Sequence, residues 1–514
     1  MEPLGSLQVL CYTQPGCQVE SVDRTGRHSI LAAMRVFCFL QAGVAAAIAL
    51  AVLPGCAPPV REQRLGLLPG NAMPDRLQLS AGSRHVAVVV KSDSGQAVVV
   101  DGRQGAWYEA IGKLVLNDNG TYAYAAVRGG QGVVVRDGRE GNWYRGIGEL
   151  HLAPDGSRLF YPGKSDSSVA MVVDGEEVAA YDDIRSVVAN AGSGRLAYAV
   201  LDDDFWRLVV DGIPGRGWDE IGWPQFSAGG RHVVCPARQG EKWSVVLDSS
   251  TYPSPGGVGG RVLVSPGGRL AWVAIDGEQG RLVRDGKPGP AHDFILDLAA
   301  TPDLATVACA ARDGEQWTVL VNDSPVGSST GPPVVRVADN GRVAAAIVRR
   351  DGGQAMLVDG NEGRSHAGVG EPVFSPDGAR LAYLVADGGL QAVVVDDDQQ
   401  RYYEAVSRLE FSPDSKRLCY AALRAGRWCA VLDGKEGPWF GAILESPSWF
   451  SPDSRHVAYG AVRDGRSVLV VDSEEVGPEY DGIRQVVFDG NDRLNFIALR
   501  GDTLLAVSRQ LEPR

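Results

Sequence analysis

Apolar residues in this chain fall in short runs rather than at helical spacing. Segments such as Val98-Val99-Val100, Leu381-Ala382-Tyr383 and Leu418-Cys419-Tyr420 stop within a few residues at Gly, Asp, Asn or Pro. Runs of that length, bounded by turn formers, predict strands, and the recurring Asp-Gly pairs supply the positive φ that tight hairpins demand.

The strand pattern repeats. FSPDGARLAYLV from Phe374, FSPDSKRLCYAA from Phe411 and FSPDSRHVAYGA from Phe450 align without gaps. The same frame puts the position of Ser375 at 80, 117, 153, 190, 227, 265, 301, 338, 375, 412, 451 and 488, a period of about 37 residues. A second marker keeps the beat: an apolar triplet ending at Asp101, Asp137, Asp174, Asp211, Asp248, Asp285, Asp323, Asp359, Asp396, Asp433 and Asp472. Each Asp is read as capping its own turn with its side chain.

Each unit reads as four strands. A strand leads into a Pro-Asp-Gly turn, an alternating strand follows, a hairpin leads to a Val-rich strand ending at Asp-Gly, and a last strand carries an aromatic pair such as Trp107-Tyr108 or Trp439-Phe440. Continuous Val runs suit strands buried on both faces, and the aromatic pairs suit packing between units. An all-β protein with about twelve four-stranded blades of ~37 residues is a β-propeller.

The FSPDG…RLAY pattern resembles the WD-like repeat of TolB-like propellers and of the gating propellers in prolyl-oligopeptidase-type enzymes. It spans residues ~75–510 and implies fold far more than activity. Neither the α/β domain that precedes the Tol-system propeller nor a hydrolase domain is visible. Two closures are open. The favoured one is two tandem six-bladed rings, 75–297 and 298–514, because six blades leave a narrow channel; the other is a single twelve-bladed ring. The last unit lacks an aromatic fourth strand, and a strand near Arg64–Leu68, within the 56–74 tether, is expected to complete it.

The first 55 residues read as an address. Val36 to Leu53 is apolar except for Gln41, follows Met34-Arg35 and ends in Leu53-Pro54-Gly55-Cys56, the layout of a secretory signal. The tetrapeptide resembles the lipobox of bacterial lipoproteins, with Pro54 where Ala or Ser is usual; the resemblance implies acylation of Cys56 and an extracytoplasmic, membrane-anchored protein. An uncleaved anchor is the other reading. Residues 1–33 fit neither and read as an over-extended start before a signal at 34–55.

Composition narrows the class. With 65 Gly and 29 Pro among 514 residues, a helical bundle is excluded, and a net charge of −13 argues against nucleic acid. Cys235, Cys309, Cys419 and Cys429 show no zinc spacing. A turn at Ala425-Gly426 would pair Ala422 with Cys429 and Cys419 with Leu432, so that couple are not cross-strand partners; Cys235 and Cys309 fall at the inward position that Tyr occupies elsewhere in the repeat, which suits buried free thiols.

No catalytic motif, metal set or cofactor signature is present. His85, His232 and His456 share one register and read as solvent-facing strand positions; His151, His292 and His366 are dispersed. One asymmetry remains. The hairpin between the second and third strands carries Arg128, Arg238, Arg312, Arg349, Arg350, Arg424, Arg463 or Arg500, with Lys91 and Lys164 in two further units. These tips share one rim, and like charges there would focus the field towards an acidic protein or envelope polymer. The expected function is a membrane-anchored binding or scaffold module; the alternative is a propeller lyase or lactonase with an unmarked active site.

Overall fold

The computed structural model describes residues 60–512 apart from 191 and 255, so the signal segment and Cys56 lie outside the described residues. Each repeat forms an antiparallel sheet of four segments taken in chain order, and there are twelve such sheets among the described residues. Blade 1 illustrates the plan, with strands Ala72–Leu79, Val86–Ser92, Gly95–Val100 and Arg103–Tyr108. Its second and third strands are buried on both faces, and its fourth is largely exposed. First strands of successive blades bond sideways to one another: Arg76 donates to the carbonyls of Ile111 (3.0 Å) and Gly112 (2.6 Å), and Lys113 pairs with Glu149 at 2.5 Å. They form the inner wall.

Blade 12 has three strands from the C-terminal end, Gly482–Phe488, Arg493–Arg500 and Thr503–Gln510, and takes its fourth from Val60–Leu67. That N-terminal strand runs antiparallel to Thr503–Gln510, from Val60↔Arg509 to Leu67↔Thr503. The expected closing strand is therefore present, a few residues earlier than its sequence position suggested.

The closure is a single twelve-bladed ring, which corrects the six-plus-six expectation. Blade 6 packs on blade 7, with Arg284 reaching Asp323 at 2.7 Å. Blade 12 packs on blade 1: Gln485 donates to the carbonyls of Ser80 and Ala81 at 2.9 Å, Ser83 Oγ donates to the Gln485 carbonyl at 2.6 Å, and Arg84 pairs with Asp489 at 2.6 Å. Two rings would require blade 1 against blade 6 and blade 7 against blade 12. The physical reason is uniformity: the midpoint junction uses the same kind of contact as its neighbours, so nothing there turns the chain back.

The turn aspartates do more than hold their own turns. Asp101, Asp137, Asp174, Asp211, Asp248, Asp285, Asp359, Asp396, Asp433 and Asp472 all adopt positive φ between 47° and 53°. Each Oδ1 accepts the backbone N–H that opens the second strand, as in Val86 N–H to Asp101 (2.9 Å) and Leu418 N–H to Asp433 (2.9 Å). In blade 7 that position belongs to Asn322, which accepts from Val307 at 3.0 Å, and Asp323 follows it in the turn. The other oxygen pairs with the residue before the second strand: His85 at 2.6 Å, Arg195 at 2.8 Å, Arg380 at 2.8 Å and His456 at 2.8 Å. The histidines of that register are thus turn partners, and His456 is buried. The arginines also reach the next blade, as Arg380 does to the Lys416 carbonyl at 2.7 Å.

Aromatic pairs join the blades. Tyr108, Tyr144, Tyr403 and Phe440 each meet edge-on the second-strand Tyr of the following blade, with centroids 6.2 to 6.5 Å apart, the geometry in which a positive ring edge meets a negative face. The register Ala422↔Cys429 and Cys419↔Leu432 is the expected one, and all four described thiols are free and buried.

Candidate functional site

The hairpin arginines are mostly occupied by their own fold. Arg424 makes a bidentate pair with Glu436 (3.1 and 2.9 Å) and lies 4.5 Å over the Trp439 ring. Arg500 does the same with Glu62 (2.7 and 2.7 Å) over Tyr480. Arg128 pairs with Glu140 at 3.2 Å over Tyr108, Arg238 with Glu220 at 3.1 Å, Arg463 with Glu475 at 2.6 Å, and Arg349 with Glu362. Arg312 lies near the rings of Phe294 and Trp317, each 5.8 Å away. Carboxylates also hold the tips themselves: Glu109 accepts from the Gly129 amide (2.8 Å), Asp219 from Gly240 (2.5 Å), Asp293 from Gly314 (2.8 Å) and Glu404 from Ala425 (2.7 Å). The rim that sequence reading took as basic is a surface of mixed charge.

The inner wall holds cations of another kind. The first strand is bulged in blades 1, 2, 4, 6, 7, 10 and 12, and at or beside the bulge in all of these but blade 7 stands a cation: Arg76, Lys113, Arg185, Arg261, Arg408 or Arg484. A bulge turns an extra residue out of the ladder and re-aims its side chain. Lys113 is neutralised by Glu149 and Arg408 by Glu410 at 3.3 Å. Arg76 bonds only neutral carbonyls, Arg185 stacks 3.3 Å over the Trp206 ring, and Arg261 and Arg484 are exposed without an ion pair among the described residues. Asp75 and Glu445 are exposed carboxylates of the same wall. Between and beyond these cations, blades 5, 7 and 8 present exposed Trp223 (65%), Leu296 and Val334 on the wall. The sequence carried this signal a few residues before each FSPD-type turn, a place the hairpin-centred reading passed over.

Blade 11 departs from the pattern. The interval from Ser412 to Ser451 is the longest in the chain at 39 residues; its first strand pairs over Ala442–Ile443, loops out and rejoins only at Phe450↔Val457, a wider gap than in the split first strands of blades 3, 5 and 9. Gly460 replaces the Ala that follows Tyr in blades 4 and 10; a Cβ there would sit 3.0 Å from Leu444 Cδ1. The loop walls a cavity of roughly 670 Å³ that also touches blades 10, 12 and 1, lined by Arg408, Trp428, Leu444, Ser446, Trp449 and Arg484 among others. Ser446 Oγ and Trp449 Nε1 are buried with no hydrogen-bond partner. Glu410 anchors the loop from below, accepting from the Ser448 hydroxyl and the Trp449 amide (3.2 Å). Among the described residues no three metal-ligating side chains converge.

No protein family matches this chain, and no curated protein does. Its structure is similar to several solved structures at low identity. A eukaryotic initiation factor is 14% identical over 69% of this chain and 94% of its own, with a TM-score of 0.32. TolB from Acinetobacter baumannii is 13% identical over 63% of this chain and 79% of its own, with a TM-score of 0.22. The Dos1 propeller is 10% identical over 73% and 94%, with a TM-score of 0.24. The ring itself rests on the strand order and pairing of this chain.

Proposed function

We propose that this twelve-bladed propeller is an extracytoplasmic binding module, tethered to a membrane by acylated Cys56, whose inner wall receives an acidic protein segment or polymer. The observation that carries the binding reading is the placement of uncompensated cations. Arg76, Arg185 and Arg261 keep their charge unpaired on the wall, while the hairpin arginines spend theirs on Glu62, Glu140, Glu220, Glu362, Glu436 and Glu475. A concave surface with like charges concentrates an oppositely charged ligand, and a propeller offers a rigid frame on which such a surface stays assembled. The tether rests on the lipobox-like Leu53-Pro54-Gly55-Cys56; two or three acyl chains at about 0.8 kcal/mol per buried CH₂ anchor a protein stably.

Two measurements test the reading. Cys56→Ser is expected to abolish palmitate labelling and release the protein from the membrane fraction; persistent labelling removes the tether. Crosslinking the full chain in its own membranes should capture an acidic partner that Arg185→Ser with Arg261→Ser no longer captures. Capture that survives both substitutions removes the wall.

A further inference from the structure

We infer that the blade 11 cavity is a binding site for a short apolar zwitterion of the dipeptide class, held at its carboxylate by Arg484 and at its ammonium by Glu445. This goes beyond the acidic-partner reading and uses different residues.

Three observations converge. The first is the break itself. The first strand is split by three residues in blades 3, 5 and 9 and by six in blade 11, where the Ser412–Ser451 interval reaches 39 residues, and Gly460 opens the space that Leu444 fills. Departures from a local rule concentrate at functional positions.

The second is the pair of orphaned donors. A buried hydroxyl or indole N–H without a partner costs about 1–3 kcal/mol, and here Ser446 Oγ and Trp449 Nε1 stand together on one loop. Trp449 is 1% exposed and Ser446 6%. The indole N–H donates and the hydroxyl can donate or accept, so a neutral amide group, which a dipeptide carries between its two ends, can satisfy both without adding charge.

The third is charge. Arg–carboxylate neighbours pair throughout this molecule, yet Arg484 and Glu445 line the same cavity, exposed, and pair neither with each other nor with any other described residue. Arg408 is neutralised by Glu410 and packed 5.3 Å over Trp449. One unpaired cation and one unpaired anion lining a cavity with Ile443, Leu444, Pro447 and Trp428 complement a ligand with opposite charges at its ends and an apolar body between them. The cavity volume of roughly 670 Å³ is within the range of small-molecule sites.

The experiment titrates the intact protein with Phe-Leu dipeptide, its N-acetyl derivative and its C-terminal amide, reading tryptophan fluorescence and calorimetry. The expected result is one saturable site that prefers the free dipeptide over either blocked form by about tenfold, the size of one charged contact. Arg484→Gln should equalise the free and amidated peptides while leaving the acetyl discrimination. Glu445→Gln should equalise the free and acetylated peptides while leaving the amide discrimination. Both side chains are exposed, so neither change threatens folding. Absence of saturable binding at millimolar peptide, or discrimination that both variants keep, overturns the inference. Neither result touches the acidic-partner reading, which rests on Arg76, Arg185 and Arg261.

Discussion

The hydroxyl of Tyr480 donates to Glu62 Oε1 at 2.8 Å, joining the last strand of blade 11 to a strand from the far end of the chain. The same bond links successive fourth strands elsewhere: Tyr108 to Glu140 and Tyr144 to Glu177 at 2.8 Å, Tyr403 to Glu436 at 3.0 Å. In three of these junctions a hairpin arginine completes the set, Arg128, Arg424 or Arg500. The closing strand thus reproduces the junction made by covalently continuous blades. Glu62→Ala leaves the Tyr480 hydroxyl and Arg500 without their acceptor. With charged hydrogen bonds worth about 1.5–3 kcal/mol and partial exposure discounting that, the expected loss is about 1–2 kcal/mol. Hydrogen exchange should localise it to Thr503–Gln510; uniform exchange across the ring would contradict this.

Acid should open the ring at its closure first. Burial alone would raise the Glu62 carboxyl, but hydrogen bonds from Arg500 and Tyr480 outweigh it and leave the group below its ordinary 4.5. Asp489 behaves likewise: burial raises it, and the Arg84 bond brings it below 3.8. Both groups have a depressed folded value, so their stabilisation is complete above the ordinary value and is lost as pH falls below it and through the folded value. Exchange in blade 12 should accelerate between about pH 5 and pH 3 relative to blades 4 to 6. Equal acceleration in all blades would remove the closure as the weak point.

The turn aspartates yield a directional test. Asp433 needs positive φ, here 50°, and an acceptor for Leu418 N–H. Asn322 meets both demands in blade 7. Asp433→Asn is therefore expected to stay within about 0.5 kcal/mol, whereas Asp433→Ala, which strands the amide and strains the backbone, should cost about 1–3 kcal/mol. Urea denaturation of the two variants decides; equal loss would assign the effect to Arg417 pairing alone.

How much of this was legible follows from how far apart partners stand in the chain. The repeat, the four strands and the thiol register were readable because hairpin partners lie within about twenty residues, where turn chemistry fixes pairing. Tyr480 and Glu62 are 418 residues apart, so a closing strand could be expected but not its clasp. The closure itself was misjudged because channel width was weighed without the sideways bonds of the inner strands. The hairpin arginines did carry a missed signal: Arg424 with Glu436 and Arg463 with Glu475 both stand twelve residues apart. That spacing spans a tip, a strand and a turn, and returns the Glu beside the Arg. Blade 11 showed in the sequence only as an interval two residues too long.

The thiols should be silent in the folded protein. Burial pushes Cys235, Cys309 and Cys429 up to about 12 and raises Cys419 as well. Because the thiolate is the reactive form, negligible labelling by a disulfide reagent is expected at pH 8, and four labelled groups in the 57–514 fragment after denaturation. Rapid native labelling would mean that the blades open locally.

Two sets of arginines should behave in opposite ways. Replacing Arg128, Arg238, Arg424 and Arg463 by Ser removes cations that are already compensated by Glu140, Glu220, Glu436 and Glu475. The strands Glu140 and Glu436 belong to lose a bracing contact, so stability should fall, by a few tenths to about 1 kcal/mol per exposed pair, with little change in attraction for a polyanion. Replacing Arg76, Arg185 and Arg261 by Ser removes charge that no carboxylate cancels, so binding of poly-L-glutamate should weaken and its salt dependence flatten. Exposed charges are screened within about 8 Å at physiological ionic strength, so the steepness of the salt dependence rises with the number of exposed cations engaged. Titrating both variants from 50 to 300 mM salt (on the order of a two-fold range in Debye length) separates them. If the hairpin variant loses affinity and the wall variant keeps it, the rim rather than the wall is the binding face, and the internal ion pairs must then exchange their glutamates for those of the ligand.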